Sequence, residues 1–265
     1  MLSNITDIKH VFYINLESRS DRKQSVINEL GKIGLSGTRF NAIKMVVGAI
    51  GCSMSHLEVL KMAKQNDYDH VVIVEDDIYF TNPELFKRQL NIFLSSHQSD
   101  WDVVLLGGNN NGPYKRIDDS CVRVCRCQTT TGYIVQKHYY DILINNIQNG
   151  LNGLMLYPNN DKLYAIDQYW FNLQSLHRWF LITPLTVIQK STYSDIGKKV
   201  VNYTNDMLTL EPNIPEPVIQ VKLNVNIKTG ITFNSNKLPK RSLLNVQNIG
   251  RLSERKLGFK KMLYT

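Results

Sequence analysis

No stretch of this 265-residue sequence approaches the roughly 18 consecutive apolar residues that a membrane-crossing helix needs, so a transmembrane helix is not expected. Cysteine is scarce. The four present, Cys52, Cys121, Cys125 and Cys127, do not make a disulfide scaffold and lack the CxxC pairs of a common structural zinc site, which leaves ordinary buried or strand thiols. The N-terminus, MLSNITDIKHVFYINL, has neither the basic start nor the long apolar middle nor the small-residue cleavage site of a secretory signal, so the expected setting is cytoplasmic, in a bacterial or viral context. Internal repeats and low-complexity tracts are absent. What is present is ordinary globular usage, with 43% apolar and 20% charged residues, in a 30.5 kDa chain near the upper end of what one hydrophobic core organises.

The formal charge of +8 is uneven: from Glu211 onward ten basic residues face three acidic ones, so +7 lies there and the preceding part is close to neutral. Composition shifts at the same place, where Pro212, Pro215 and Pro217 force an extended run. We therefore expect a catalytic α/β domain over residues 1–212 and a basic C-terminal extension over 213–265, an accessory or oligomerisation element or a solvated basic face. The extension carries no nucleic-acid motif.

Before the boundary, strand-like and helix-like segments alternate, the pattern of an α/β layer fold. His10–Leu16 reads as a buried strand. A helix follows over Glu17–Lys32, with Val26, Ile27 and Leu30 at helical spacing. A short strand is expected over Thr38–Ile43 and a helix over about Ser53–Gln65. His70–Val74 is a β-branched run suited to a central strand buried on both faces, and it ends directly in Glu75-Asp76-Asp77. Asn82-Pro83-Glu84 marks a helix start, with a cap, a proline and a carboxylate in the first turn. Further strands are expected at Trp101–Leu106, Cys121–Arg126 (an edge strand), Phe180–Ile182 and Thr186–Gln189, and helices at Tyr139–Gln148 and Asp167–Trp179.

Three carboxylates at the mouth of a central strand raise one another's pKa unless a positive group shares the site. In open α/β sheets ligands bind at the carboxyl ends of the strands, where this triplet sits. Oxygen ligands with open positions suit Mg²⁺ or Mn²⁺ holding phosphates. The alternative is a solvated acidic turn.

Four segments in order resemble glycosyltransferase family 25, the group of bacterial lipooligosaccharide galactosyltransferases and collagen hydroxylysine galactosyltransferases. They are YINLESRSDR (Tyr13–Arg22), GAIGCSMSHLEVL (Gly48–Leu60), VIVEDDI (Val72–Ile78) and AIDQYW (Ala165–Trp170), with QKSTYSDIG (Gln189–Gly197) as a weaker fifth. The resemblance implies a GT-A-like α/β fold, a Rossmann-like mixed sheet flanked by helices. It also implies a UDP-sugar donor, a divalent metal (Mn²⁺ or Mg²⁺) and an inverting transfer of galactose or glucose to an acceptor hydroxyl on a glycan or on collagen-type hydroxylysine.

By that resemblance Glu75-x-Asp77 stands in for the DxD motif. Asp77 is then the first metal ligand, and Glu75 and Asp76 touch metal, ribose or sugar hydroxyls. Asn15 and Leu16 would lie against the nucleotide base. Arg19 and Arg22 would fork onto phosphate, or else pair with Asp21. Ser53, Ser55 and His56 are expected at the start of a helix, with Ser55 and His56 on the donor or, alternatively, His56 satisfied by backbone. Gly132 and Tyr133 would shape the sugar pocket, with a core tyrosine as the alternative. Asp167 is the expected base for the acceptor hydroxyl, or an N-cap.

Two departures from the family pattern stand out. The loop between the second strand and the GxxGC segment is short, and the fifth segment lacks a histidine, leaving Ser194 and Asp195 as candidates for the far side of the metal. Rival functions are a catalytically silent binding module for nucleotide sugar or carbohydrate on the same fold, and a nucleotidyltransferase.

Overall fold

The computed structural model describes residues 2–98, 100–194 and 199–211. The proposed extension at 213–265 and Asp195 lie outside the described residues.

Apolar residues at alternating positions produce strands, and apolar stripes at helical spacing produce helices, in the order β1 (Val11–Asn15), α1 (Ser20–Lys32), β2 (Thr38–Asn41), α2 (Gly48–Gln65), β3 (His70–Glu75), β4 (Ile78–Phe80), α3 (Pro83–His97), β5 (Val103–Leu105), β6 (Asn109–Asn110), β7 (Tyr114–Arg116), β8 (Cys121–Val124), β9 (Cys127–Gln128), β10 (Gly132–Gln136), α4 (Tyr140–Leu156), α5 (Asp161–Tyr164), α6 (Ile166–Tyr169), α7 (Phe171–Leu176), β11 (Trp179–Ile182), β12 (Val187–Gln189), β13 (Thr192–Ser194), β14 (Lys199–Val201) and α8 (Thr204–Met207). The main sheet is eight-stranded, ordered β2-β1-β3-β10-β5-β11-β8-β7. Strands β10 and β8 run against the other six. Small ribbons pair β4 with β12, β6 with β9 and β13 with β14.

Each inner strand sends alternate side chains to opposite layers. Phe12, Ile14, Val71 and Ile73 join Leu57, Leu60, Leu143 and Ile147 of α2 and α4 in one core. Val11, Tyr13, Val72 and Val74 join Val26, Leu30, Leu90 and Phe93 of α1 and α3 in the other. The result is the mixed sheet flanked by helices that the resemblance implies.

Several elements differ from expectation for identifiable reasons. Helix α2 begins at Gly48 rather than Ser53, because Gly51 fits inside the helix where a Cβ would lie 2.3 Å from the Ile43 carbonyl oxygen. The stretch 121–126 is not an edge, since β7 pairs outside β8. The helix expected over 167–179 is broken into α6 and α7 by Trp170, which is fully buried against Trp179 with ring centroids 5.1 Å apart. Strand β10 was not foreseen: its five residues run antiparallel between β3 and β5 in the middle of the sheet.

Candidate active site

Strand β3 ends at Glu75 and the chain turns at once, so the three carboxylates separate. Glu75 keeps the strand's alternation and faces α2. Its Oε1 accepts from Thr130 Oγ1 at 2.7 Å and its Oε2 from Gln189 Nε2 at 2.8 Å. His56 Nε2 and Cys52 Sγ each stand 3.7 Å from Oε1. Burial opposes ionisation of Glu75, yet His56, Thr130 and Gln189 together hold it below its ordinary value.

Asp76 and Asp77 lie beside α1. Asp76 Oδ2 accepts from Asn15 Nδ2 at 2.7 Å and Oδ1 from Arg22 Nη1 at 2.9 Å; burial raises its pKa in spite of these donors. The same Arg22 nitrogen reaches Asp77 Oδ2 at 3.3 Å, whereas Asp77 Oδ1 is buried with no hydrogen-bond partner among the described residues. Burial pushes the Asp77 carboxyl up to about 8, the Glu75 charge adding to the effect and Arg22 opposing it. A cavity of about 210 Å³ lies here, lined by Asp21, Arg22, Ser25, Asp76, Asp77 and Lys190.

Lys190 is positioned by its backbone N–H, which donates to the Asp77 carbonyl at 2.8 Å, and by Nζ, 2.6 Å from Ser25 Oγ. Its sequence neighbour Gln189 binds Glu75, so one residue pair at the end of β12 serves both sides of the triplet. Neither side chain was singled out from sequence, although both open the fifth family-like segment. Thr130 was also missed. Nothing in its composition marks it, and its place follows from the antiparallel run into β10.

The remaining candidates fall into distinct roles. Asn15 is buried and donates from Nδ2 to both Asp76 and the Arg19 carbonyl, while its Oδ1 accepts from Arg39 Nε at 3.0 Å. Leu16 closes the adjoining turn through its carbonyl, which accepts from Arg19 N at 2.9 Å. The Arg19 side chain pairs with Asp21, and Arg22 pairs with the aspartates of the triplet. Ser55 is occupied within the chain: Oγ donates to the Gly51 carbonyl at 2.7 Å and accepts from Ile43 N at 2.9 Å. Ser53, Ser55 and His56 lie in the second and third turns of α2, which begins at Gly48, so none of them is at the helix start. His56 and Tyr133 are both 0% exposed, with His56 Nδ1 2.8 Å from the Tyr133 hydroxyl. Tyr133 also packs edge-on against Trp170, so it sits as a core tyrosine and its ring faces no open cleft. Gly132 lies in the core, where a Cβ would come within 3.1 Å of Ile78 and Leu106 side-chain atoms.

Asp167 is not the N-cap of α6; that position is Ala165. Its Oδ2 accepts from Thr129 N at 3.2 Å. Thr129 adopts φ 77°, a left-handed conformation costly for a β-branched residue, and so aims its N–H at the carboxylate. Burial raises Asp167 to about 6, the Thr129 N–H offsetting part of this and the Glu75 charge adding to it. Glu75 and Asp167 therefore share one electrostatic environment, in which Glu75 is held charged and Asp167 titrates near neutrality.

A divalent cation would fit this donor set at Asp77, whose Oδ1 is the one oxygen of the triplet that no donor among the described residues satisfies. Among the described residues, Cys52, His56 and Glu75 form a second group whose ligand atoms lie within 4.8 Å of one another. No described helix is long and apolar enough to cross a membrane.

Residues 44–153 match the model of glycosyltransferase family 25 (LPS biosynthesis protein). Curated glycosyltransferase 25 family members from Drosophila pseudoobscura pseudoobscura and Aedes aegypti are each 25% identical, over 196 and 192 residues. Those alignments cover 61% of this chain and 29% and 30% of the relatives, so the chain matches less than a third of their length. Among solved structures, a glycosyltransferase involved in glycosylation of the PBCV-1 major capsid aligns at TM-score 0.42 and 11% identity, over 67% of this chain and 82% of that one.

Proposed function

We propose that this chain is a metal-dependent inverting transferase, a reading supported by the match of residues 44–153 to the model of glycosyltransferase family 25. It moves galactose or glucose from a UDP-sugar to an acceptor hydroxyl, on a glycan or on collagen-type hydroxylysine. The observation that carries the reading is the acidic turn after β3, where Asp77 Oδ1 is buried and unpartnered beside Arg22 and Lys190. A divalent cation held at Asp77 would supply positive charge to the diphosphate that departs from the sugar.

The chain's own residues account for the rest. Arg22 and Lys190 place two further positive charges on the walls of the same cavity, complementary to a diphosphate. Asn15, which ends β1 next to this cleft, and Leu16, which follows it, are assigned to the nucleotide. Glu75, fixed by Thr130 and Gln189 and flanked by His56, is assigned to sugar or ribose hydroxyls. Asp167, with a pKa of about 6, is ionised at neutral pH and takes the proton of the acceptor hydroxyl as it attacks the anomeric carbon. Asp195 is assigned to the far side of the metal and the basic segment 213–265 to an accessory or oligomerisation role, both on sequence grounds.

UDP release from a panel of UDP-sugars, with and without Mn²⁺, tests the reading against the Asp77→Asn variant. Metal-dependent release from one donor, reduced at least about 100-fold in the variant, is expected. Donor binding without turnover for any acceptor would favour the silent binding module, and absence of any donor binding would sink the nucleotide-sugar reading.

A further inference from the structure

Helix α3 ends on His97, and the turn from β7 to β8 brings Asp118 and Cys121 against it. His97 Nε2 lies 2.7 Å from Asp118 Oδ2 and 3.7 Å from Cys121 Sγ. All three candidate ligand atoms fall within 4.8 Å of one another.

The geometry is not that of a nucleophile relay. A cysteine activated by a histidine and an aspartate needs them on opposite ring nitrogens, so that the proton passes through the imidazole. Here carboxylate and thiol face the same nitrogen. Three unlike ligand atoms converge on one point.

The surroundings hold each ligand in place. The imidazole lies against Phe93 and Phe180, with ring centroids 4.8 and 5.8 Å away. Asp118 Oδ1 accepts from Ser120 N and Ser120 Oγ, both at 2.7 Å, and from Cys121 N at 3.2 Å, which turns Oδ2 toward the histidine. Outer hydrogen bonds of this kind orient metal-binding carboxylates. Cys121 is a free, fully buried thiol, while the His97 and Asp118 side chains keep 16% and 35% exposure, leaving the point open to solvent on one side.

We propose that His97, Asp118 and Cys121 form a zinc site, three protein ligands with a fourth, solvent-facing position. Nitrogen and sulfur ligands select against Mg²⁺ and Ca²⁺. With usual zinc bond lengths a tetrahedral angle separates N from S by about 3.6 Å and N from O by about 3.4 Å. The first matches the 3.7 Å seen, and the second requires the 2.7 Å hydrogen bond to open as the ion replaces its proton. On binding, the Cys121 thiol loses one proton to solvent and the imidazole moves its proton from Nε2 to Nδ1. The ion then clips the end of α3 to the β7–β8 turn, sharing no residue with the cleft at Asp77.

The full chain, stripped with chelator, is titrated with Zn²⁺ while melting temperature is followed, and with Co²⁺ while thiolate-to-cobalt charge-transfer absorption is followed. A rise in melting temperature and a charge-transfer band are expected in the wild type. Both should persist in Cys52→Ser and Asp77→Asn, which remove a ligand from each of the other two candidate positions. His97→Gln, at a partly exposed position that leaves the core filled, should weaken Zn²⁺ binding at least about tenfold. Cys121→Ser should abolish the band. Absence of the band in the wild type, its loss in Cys52→Ser, or its survival in Cys121→Ser with unchanged affinity in His97→Gln would each overturn the assignment.

Discussion

In its proposed role as base, the buried carboxylate of Asp167 would couple chemistry and stability in opposite directions. Its pKa of about 6 lies above that of an unfolded aspartate, so the ionised form is costly in the folded chain. That cost is absent below the unfolded value near 4 and grows as pH rises through 6. On the proposed role of Asp167 as base, turnover needs the ionised form, so the pH–rate profile should fall below about pH 6. Asp167→Asn should lose at least about 100-fold in kcat at pH 7 while melting no lower than the wild type, measured by donor turnover and thermal denaturation in parallel. A stability loss matching the activity loss would assign Asp167 a structural role instead. The resemblance carried by AIDQYW (Ala165–Trp170) singled Asp167 out in the sequence. Its titration could not be read there, because it depends on Thr129, some 38 positions away, and on the charge of Glu75. The acidic triplet was equally legible as a feature and illegible in detail: a turn inside it sends Glu75 to one face of the sheet and Asp77 to the other.

Helix α2 is the element on which local pattern and tertiary contact disagree most. Its start was expected near Ser53, but Gly51 makes room for the chain's own Ile43 carbonyl and the helix begins at Gly48. Gly51→Ala should therefore destabilise by about 2 kcal/mol, the usual scale for overpacking a tight contact. Urea denaturation checks this, and an unchanged midpoint would show that the loop at Ile43 yields freely. Where the signal is local, boundaries were legible: the Asn82 cap, whose Oδ1 accepts from Leu85 N at 3.1 Å, opens α3 as expected. Strand β10 was not legible. Its sequence, GYIVQ, is short, and an antiparallel insertion between β3 and β5 is a choice of partner rather than of conformation.

At the scale of the whole molecule, three adjacent strands are tied together at the end of the sheet away from the triplet. Asp102, just before β5, accepts from Arg178 N at 2.8 Å and Arg178 Nη2 at 2.7 Å, just before β11, and lies 2.8 Å from His138 Nε2, just after β10. Burial acts to raise its pKa, but Arg178 and His138 outweigh it and hold it low. The resulting stability is present above the unfolded aspartate value near 4 and is lost as pH falls below it. Asp102→Asn should cost about 2 kcal/mol at pH 7, less than a fully buried pair because the Arg178 side chain is 40% exposed, and the gap to wild type should shrink toward pH 2. Denaturation midpoints across pH test this, and a constant gap would remove the ion pair as its cause. The sequence by itself determined the α/β alternation, the two-sided burial of β3 and the clustering of carboxylates at its end, since these follow from side-chain periodicity within a few residues. Only the tertiary structure decided which carboxylate oxygen is left without a donor, which histidine meets a thiol and which basic residue reaches which acid. Those outcomes depend on contacts between segments tens of residues apart, where a shift of an ångström separates a hydrogen bond from an unpaired charge.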